Sequence, residues 1–290
     1  MSTPDEPVLI GVDGGGSGCR AAVGTSAQGV LGSAEAGPAN IFLDFSSAVE
    51  NVLRALEDAT ARAGIDLGRA ASVRAHLGLA GVLSTTDAAR VCAQLPFAAT
   101  VTDDRPTTLA GALQGDGYLV AVGTGSFVAS QKGRDQSFVG GWGFHLGDEA
   151  SGAWLGKRAL SAALSAYDGL VEQGALTTAI LARFDGDPNR IVRFGSEATS
   201  GEHAELASLV LAAADEGDKV AGALMRDGAR YICAALTRLG YVPGAALCLT
   251  GGLGAAYRRL LPDDMITTDA VGSALDGAFR LARQAAEAST

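Results

Sequence analysis

The chain has 290 residues, 48% of them apolar and 19% charged, and carries a formal net charge of −10. That composition builds one large or two medium globular α/β domains and excludes a disordered chain. No apolar run approaches the roughly 20 residues that cross a bilayer, and an acidic surface repels nucleic acid and anionic membranes, so neither is an expected partner.

The N-terminal stretch has no basic region followed by a long apolar one, so no secretory signal is expected. Cys19, Cys92, Cys233 and Cys248 are scattered, without C-x-x-C or zinc-ligand spacing. They read as reduced thiols, mostly buried, of a cytoplasmic protein.

In chain order, residues 8–13 form an apolar run that predicts a buried strand ending in Asp13. Residues 20–37 predict two further strands joined by a turn at Ala27, Gln28 and Gly29. Residues 46–64 have helical spacing, with Ser46 or Ser47 as N-cap and Gly64 as the stop. A strand is expected over 72–81, a short helix over 84–96 ended by Pro96, and a strand over 99–104. The stretch "GYLVAVGTGSFVAS" then repeats the opening plan of strand, glycine turn and strand. Helices follow over 150–166, 175–184, 203–216 and 218–239, then a strand running into "TGGLG", and an amphipathic helix over 273–288. The two halves predict two similar α/β domains, 1–110 and 111–290, with a ligand cleft between them, and the helix over 273–288 is free to pack back on the first.

The glycine loops carry the chemistry. In "GVDGGGSGCR", Gly14, Gly15, Gly16 and Ser17 follow Asp13. Small residues let backbone N–H groups converge on a phosphate. An aspartate beside them is tolerable when Mg²⁺ stands between carboxylate and phosphate. The plain alternative is a hairpin turn. The loop is neither a Walker A motif nor a Rossmann fingerprint, since a strand follows it. A second loop, Gly123, Thr124, Gly125 and Ser126, and a third, Thr250, Gly251, Gly252, Leu253 and Gly254, also end apolar strands.

Three such loops in this order resemble the actin, sugar-kinase and Hsp70 ATPase superfamily, whose domains are ribonuclease H-like. The segments "GGWGFHLGDEASGAWLG", "GPANIF" and "VTDDRPTTLAGAL" resemble the N-acetylglucosamine kinase and glucosamine kinase branch of the BadF/BadG/BcrA/BcrD ATPases. The resemblance implies an ATP- and Mg²⁺-dependent kinase acting on the 6-hydroxyl of a small amino sugar. Alignment on "LAGA" puts the catalytic base at Asp104, with Asp103 beside it; the competing reading is that the pair caps the next helix. Trp142 and Asp148 are implied as sugar contacts, with Asp148 or Glu149 helping to hold Mg²⁺ alongside Asp13; the competing reading is a core tryptophan and a helix N-cap at Asp148. Asn40, Ala80 and Gly81 are implied as further sugar contacts. Related kinases often have serine where this chain has Ala80, which loosens the expectation for the sugar. Thr124 and Gly125 are implied to meet both sugar and γ-phosphate, and the loop from Thr250 to Gly254 the adenosine. His145 is expected to be a packed or surface residue, and Asp185 to Asn189 a plain loop.

Three other readings stand beside this one. Free glucosamine uses the same site. An activator of a radical dehydratase needs a thiolate-held iron–sulfur cluster, which scattered cysteines do not suggest. A sugar-sensing regulator or an Hsp70-like chaperone needs a DNA-binding or peptide-binding domain, and neither is expected here. Similar kinases are commonly dimers, which leaves a homodimer open as the assembly.

Overall fold

The computed structural model describes residues 6–70 and 72–288. They form two compact units: residues up to 114 with those from 270 onward, and residues 115–269.

In the first unit, β1 (Val8–Gly14), β2 (Cys19–Thr25) and β3 (Gly29–Ala36) form an antiparallel meander. Helix α1 (Phe45–Ala63), β4 (Val73–Leu79), α2 (Thr85–Cys92), β5 (Ala99–Thr102) and α3 (Asp104–Ala112) follow. The sheet order is β3-β2-β1-β4-β5, with β4 and β5 parallel to β1. In the second unit, β6 (Gly117–Val122), β7 (Ser126–Lys132) and β8 (Asp135–Gly140) repeat the meander. Six helices follow: α4 (Gly152–Tyr167), α5 (Ala175–Arg183), α6 (Pro188–Glu197), α7 (Ser200–Glu205), α8 (Ala207–Asp215) and α9 (Lys219–Arg238). Then come β9 (Leu247–Thr250), α10 (Gly254–Arg258) and β10 (Thr267–Thr268), and β9 and β10 extend the sheet in parallel with β6. The strand order β10-β9-β6-β7-β8 has the same connectivity as the first sheet. The α/β class and the internal repeat are thus as the sequence predicts. Helix α11 (Ala274–Glu287) belongs to the first unit.

Strand β1 is apolar throughout because both its faces are covered. Ile10 and Val12 pack with Val52, Ala55 and Leu56 of α1, while Leu9 packs with Phe279 and Ala286 of α11. Burying each such side chain contributes about 1.5–3 kcal/mol. Helix α11 comes very close. A Cβ on Gly11 would lie 2.4 Å from the Phe279 nitrogen, and one on Gly277 would lie 1.9 Å from the Thr107 carbonyl oxygen. Arg280 fixes the crossing by donating from Nη1 to the carbonyls of Ala110 and Leu113, both at 2.6 Å, near the end of α3.

Several local expectations change. The N-cap of α1 is Asp44, which accepts from the Ser47 N–H at 3.0 Å, so the serines lie inside the first turn. The expected strand over 99–104 ends at Thr102, because Asp103 caps α3. The helix expected over 203–216 is two helices meeting at Leu206, whose N–H turns back to the His203 carbonyl at 3.1 Å. The expected loop at 185–189 holds the start of a helix: Asp187 caps α6 and Pro188 occupies its first turn. Ile191 of α6 is buried, and Phe194 packs against the same core.

Gly11→Ala is therefore expected to destabilise the protein by about 1–3 kcal/mol through overpacking. Gly16→Ala, with nothing within 4 Å of the added atom, should leave the melting temperature unchanged. Thermal unfolding of both variants checks this; an unaltered midpoint for Gly11→Ala contradicts the close approach of α11.

Candidate active site

Each unit gathers its own set of the expected residues. In the first, the β1–β2 hairpin closes through the Gly15 N–H and the Gly18 carbonyl at 2.8 Å. No acceptor among the described residues meets the N–H of Gly16 or Ser17, and both residues are exposed. The glycines differ in purpose. A Cβ on Gly14 would lie 2.6 Å from Leu79 Cδ2 and 2.9 Å from Ala39 Cβ, whereas Gly16 faces open space.

Backbone bonds bring the neighbouring segments to this hairpin. Ala39 donates to the Gly15 carbonyl at 2.9 Å, Ala80 to the Gly14 carbonyl at 2.8 Å, and Ile41 to the Ala80 carbonyl at 3.0 Å. Asn40, Ala80 and Gly81 thereby stand beside the loop of Gly14, Gly15, Gly16 and Ser17. Asn40 Oδ1 accepts from the N–H groups of Phe42 and Leu43 at 3.0 and 3.3 Å. It is thus a turn residue, and its amide NH₂ is the part left to meet a hydroxyl. Gly81 sits at φ +84°, and a side chain there would strike Asn40 Oδ1.

Three carboxylates lie near this loop, in different settings. Asp13 is paired across the hairpin with Arg20, whose Nη2 lies 2.5 Å from Oδ2. Asp103 is a cap and a clamp: it accepts from the Arg105 N–H at 3.0 Å and from the Arg105 guanidinium at 2.8 and 3.1 Å. Asp104 is left without a countercharge of its own at the first residue of α3. Burial first, and then the charge of Asp103, push its carboxyl from the ordinary 3.8 up to about 6, with Asp13 adding to the effect. The two adjacent carboxylates thus sit in different settings, Asp103 clamped by Arg105 and Asp104 with a raised proton affinity.

This donor set fits Mg²⁺. Asp13 offers hard carboxylate oxygens of the kind that Mg²⁺ takes. Among the described residues no group of three or more His, Cys, Asp or Glu side chains could hold a metal. A cation at Asp13 would complete its shell with water and phosphate oxygens, as Mg²⁺ does.

In the second unit, the β6–β7 hairpin holds the loop from Gly123 to Ser126, closed by the Gly123 N–H to the Gly125 carbonyl at 2.9 Å. The first amides of α4 hold this loop: Gly152 donates to the Gly123 carbonyl at 2.8 Å and Ala153 to the Thr124 carbonyl at 3.2 Å. Ser126 Oγ donates to the Glu149 carbonyl at 2.6 Å, so its hydroxyl is already engaged. The third loop packs on the second. A Cβ on Gly251, at φ +87°, would lie 2.3 Å from the Val122 carbonyl oxygen, and Leu253 donates to that oxygen at 3.1 Å. Gly252 faces open space, and Gly254 begins α10 beside Thr250 at the end of β9.

The segment "GGWGFHLGDE" folds onto the same patch. Asp148 is buried and accepts from the Gly143 N–H at 3.1 Å, and its Oδ2 lies 2.8 Å from where a Gly125 Cβ would be. Burial holds its carboxyl above the usual range. Asp148 and Ala150 both sit at positive φ, 57° and 72°, which is costly for residues with a side chain. Neither part of the competing reading holds. Trp142 is 75% exposed rather than core, and the N-cap of α4 is Ser151, not Asp148. Phe144 anchors the segment by packing against buried His203, ring centroids 4.6 Å apart. His145 is exposed.

Sequence reading missed two residues. Arg20 could have been found, because positions 13 and 20 face each other across a short hairpin. Tyr231 could not, since it lies within the stripe of α9; its hydroxyl lies 2.4 Å from where a Gly140 Cβ would be, and burial, Glu149 and Asp148 all raise its proton affinity.

Two sheets of matching connectivity with glycine hairpins at their central strands define an α/β protein of the actin-like ATPase and sugar-kinase fold. A ROK family glucokinase from Streptomyces griseus, 20% identical, shares that fold over 96% of this chain and 99% of its own, with a TM-score of 0.55. The BadF/BadG/BcrA/BcrD ATPase family model matches residues 10–266, and the chain belongs to that family. It is 30% identical over 247 residues, 84% of each chain, to a glucosamine kinase from Vibrio cholerae. It is 31% identical over 238 residues to an N-acetylmuramic acid/N-acetylglucosamine kinase from Clostridium acetobutylicum, covering 77% of this chain and 76% of that one. A crystal structure from Chromobacterium violaceum, carrying a provisional N-acetylglucosamine kinase designation, is 35% identical, with a TM-score of 0.86 over 96% of this chain and 100% of that one. No helix among the described residues is long and apolar enough to cross a membrane.

The setting of Asp104 has a consequence for stability. Its proton is bound more tightly in the folded than in the unfolded chain, so the stability it contributes is full below about pH 4 and is lost as pH rises through about 6. Asp104→Asn should stabilise the ligand-free protein at pH 7.5, by at most about 3 kcal/mol, with the gain vanishing below pH 4. Denaturant unfolding across this range checks it; a destabilised variant at pH 7.5 contradicts the assignment.

Proposed function

We propose that the protein is an ATP-dependent amino-sugar kinase that phosphorylates the 6-hydroxyl of N-acetylglucosamine. The observation that carries this reading is Asp104: a half-buried carboxylate whose pKa is pushed up to about 6, near a loop with open N–H groups. Such a group is ionised at neutral pH yet basic enough to take a hydroxyl proton. Asp104 accepts the proton of the sugar hydroxyl as that oxygen forms its bond to the γ-phosphorus and the bond to the ADP oxygen breaks. Mg²⁺, when bound, offsets charge on the phosphates. The N–H groups of Gly16 and Ser17 and the loop from Gly123 to Ser126 hold phosphate, and the loop from Thr250 to Gly254 takes the adenosine. Arg20 balances Asp13 within the β1–β2 hairpin. For the sugar, the Asn40 amide offers its donors, the exposed Trp142 ring an apolar face, and Thr124 and Asp148 polar partners, with backbone groups from Ala80 and Gly81.

Two of the three relatives above bear an N-acetylglucosamine name, which favours the acetylated sugar. Glucosamine is the second reading, on the strength of the Vibrio cholerae relative. An iron–sulfur activator is disfavoured. A cluster needs thiolates gathered at one point, whereas the four cysteines lie on four separate elements, β2, α2, α9 and β9, with Cys19 and Cys248 buried inside strands.

A coupled ADP-release assay over a panel of hexoses and hexosamines tests this. N-acetylglucosamine should give the highest kcat/KM, the rate should fall below about pH 6, and Asp104→Asn should lose at least about 100-fold in kcat. ADP release that no sugar stimulates would sink the kinase reading, and full turnover by Asp104→Asn would remove it as the base.

A further inference from the structure

His76 and Thr102 have no part in the proposed function, yet a hydrogen-bonded chain joins them to Asp104. His76, in the middle of β4, is buried. Its Nε2 lies 3.2 Å from Thr102 Oγ1 at the end of β5. Thr102 Oγ1 donates to the carbonyl oxygen of Asp103 at 2.8 Å. A hydroxyl has one proton to give. With that proton on the Asp103 carbonyl, the oxygen accepts from His76, which puts the imidazole proton on Nε2. Burial lowers the His76 pKa to about 4, so the ring is neutral at working pH and has one such proton.

The Asp103 carbonyl belongs to the peptide whose nitrogen is that of Asp104. The next peptide is held as well: the Asp104 carbonyl accepts from Thr107 Oγ1 at 2.9 Å and Thr108 Oγ1 at 2.8 Å. The Asp103 carboxylate is clamped by Arg105. Asp104 is therefore fixed through both its peptide planes, one from the sheet and one from the helix. Close packing keeps the two in register, since a Cβ on Gly78, which pairs with Thr102, would lie 2.2 Å from Thr107 Oγ1. His76 touches no expected ligand position and has no metal cluster around it among the described residues.

We infer that His76 and Thr102 are positioning residues, a relay from the sheet that orients the Asp103–Asp104 peptide and so aims the Asp104 carboxylate. The inference rests on Asp104 being the base. Misplacing a base by a fraction of an ångström lowers kcat while leaving substrate binding almost intact.

The test is steady-state kinetics of the full chain with Thr102→Val, Thr102→Ser, His76→Leu, His76→Gln and Asp104→Asn. Thr102→Val and His76→Leu should each lose about 10-fold in kcat, with KM for sugar and ATP within roughly twofold of the parent. Thr102→Ser keeps the hydroxyl and His76→Gln keeps a donor near the Nε2 position, so both should recover most of the rate. The Thr102→Val/His76→Leu double variant should be no worse than the poorer single, because both break one chain. In an Asp104→Asn background, Thr102→Val should cost nothing further, which a general structural defect would not predict. If His76→Leu fails to fold, the Thr102 pair decides alone. Asp104→Asn inactive with Thr102→Val at full kcat overturns this inference alone. Asp104→Asn at full turnover overturns the base assignment and this inference with it.

Discussion

The close approach of backbone to backbone where α3 and α11 meet the first sheet is the constraint on which the rest depends. Helix α11 can lie against β1 only because Gly11 has no side chain, and α3 can lie against α11 and β4 only because Gly277 and Gly78 have none. That packing buries Thr107 in the first turn of α3 and leaves Asp104, at its first residue, half-buried. A carboxylate placed there cannot stay at its solution pKa, and the neighbouring Asp103 charge pushes it further in the same direction. The same packing that stabilises the unit thus raises the proton affinity of Asp104. A carboxylate that is costly to ionise is held at Asp104, and the core of the unit offsets that cost.

The second unit solves a different problem with the same sheet. Its loops are held by carbonyls rather than freed of them. The first amides of α4, which would otherwise lack partners, are spent on Gly123 and Thr124, and Leu253 is spent on Val122. The segment around Trp142 is held in a costly conformation by the Asp148 bond to Gly143 and by Phe144 packing on His203. Non-glycine residues at positive φ point to a surface shaped for contact rather than for stability.

What was legible in the sequence follows from these pressures. The three glycine loops were visible because each ends an apolar strand, and β1 was visible because burial on both faces leaves an unbroken apolar run. The repeat of strand, glycine turn and strand gave the second unit its meander. Helix α6 was hidden because its cap, Asp187 followed by Pro188, looks like a loop. The break at Leu206 was hidden because both sides of it are helical. Alignment on "LAGA" already favoured Asp104 over Asp103, and the structure adds what no local pattern records: the Arg105 clamp on Asp103 and the raised proton affinity of Asp104. Tyr231 reaches Gly140, and His76 and Thr102 reach the Asp103 carbonyl, through tertiary packing that no local pattern records.

The central claim, that Asp104 is a carboxylate poised near neutrality, is open to direct titration. Carbon-13 NMR of aspartate side-chain carboxyls, with Asp104→Asn to assign the signal, should show one group titrating near 6 in the ligand-free protein. An Asp104 carboxyl that titrates near 4, like an ordinary aspartate, would contradict it.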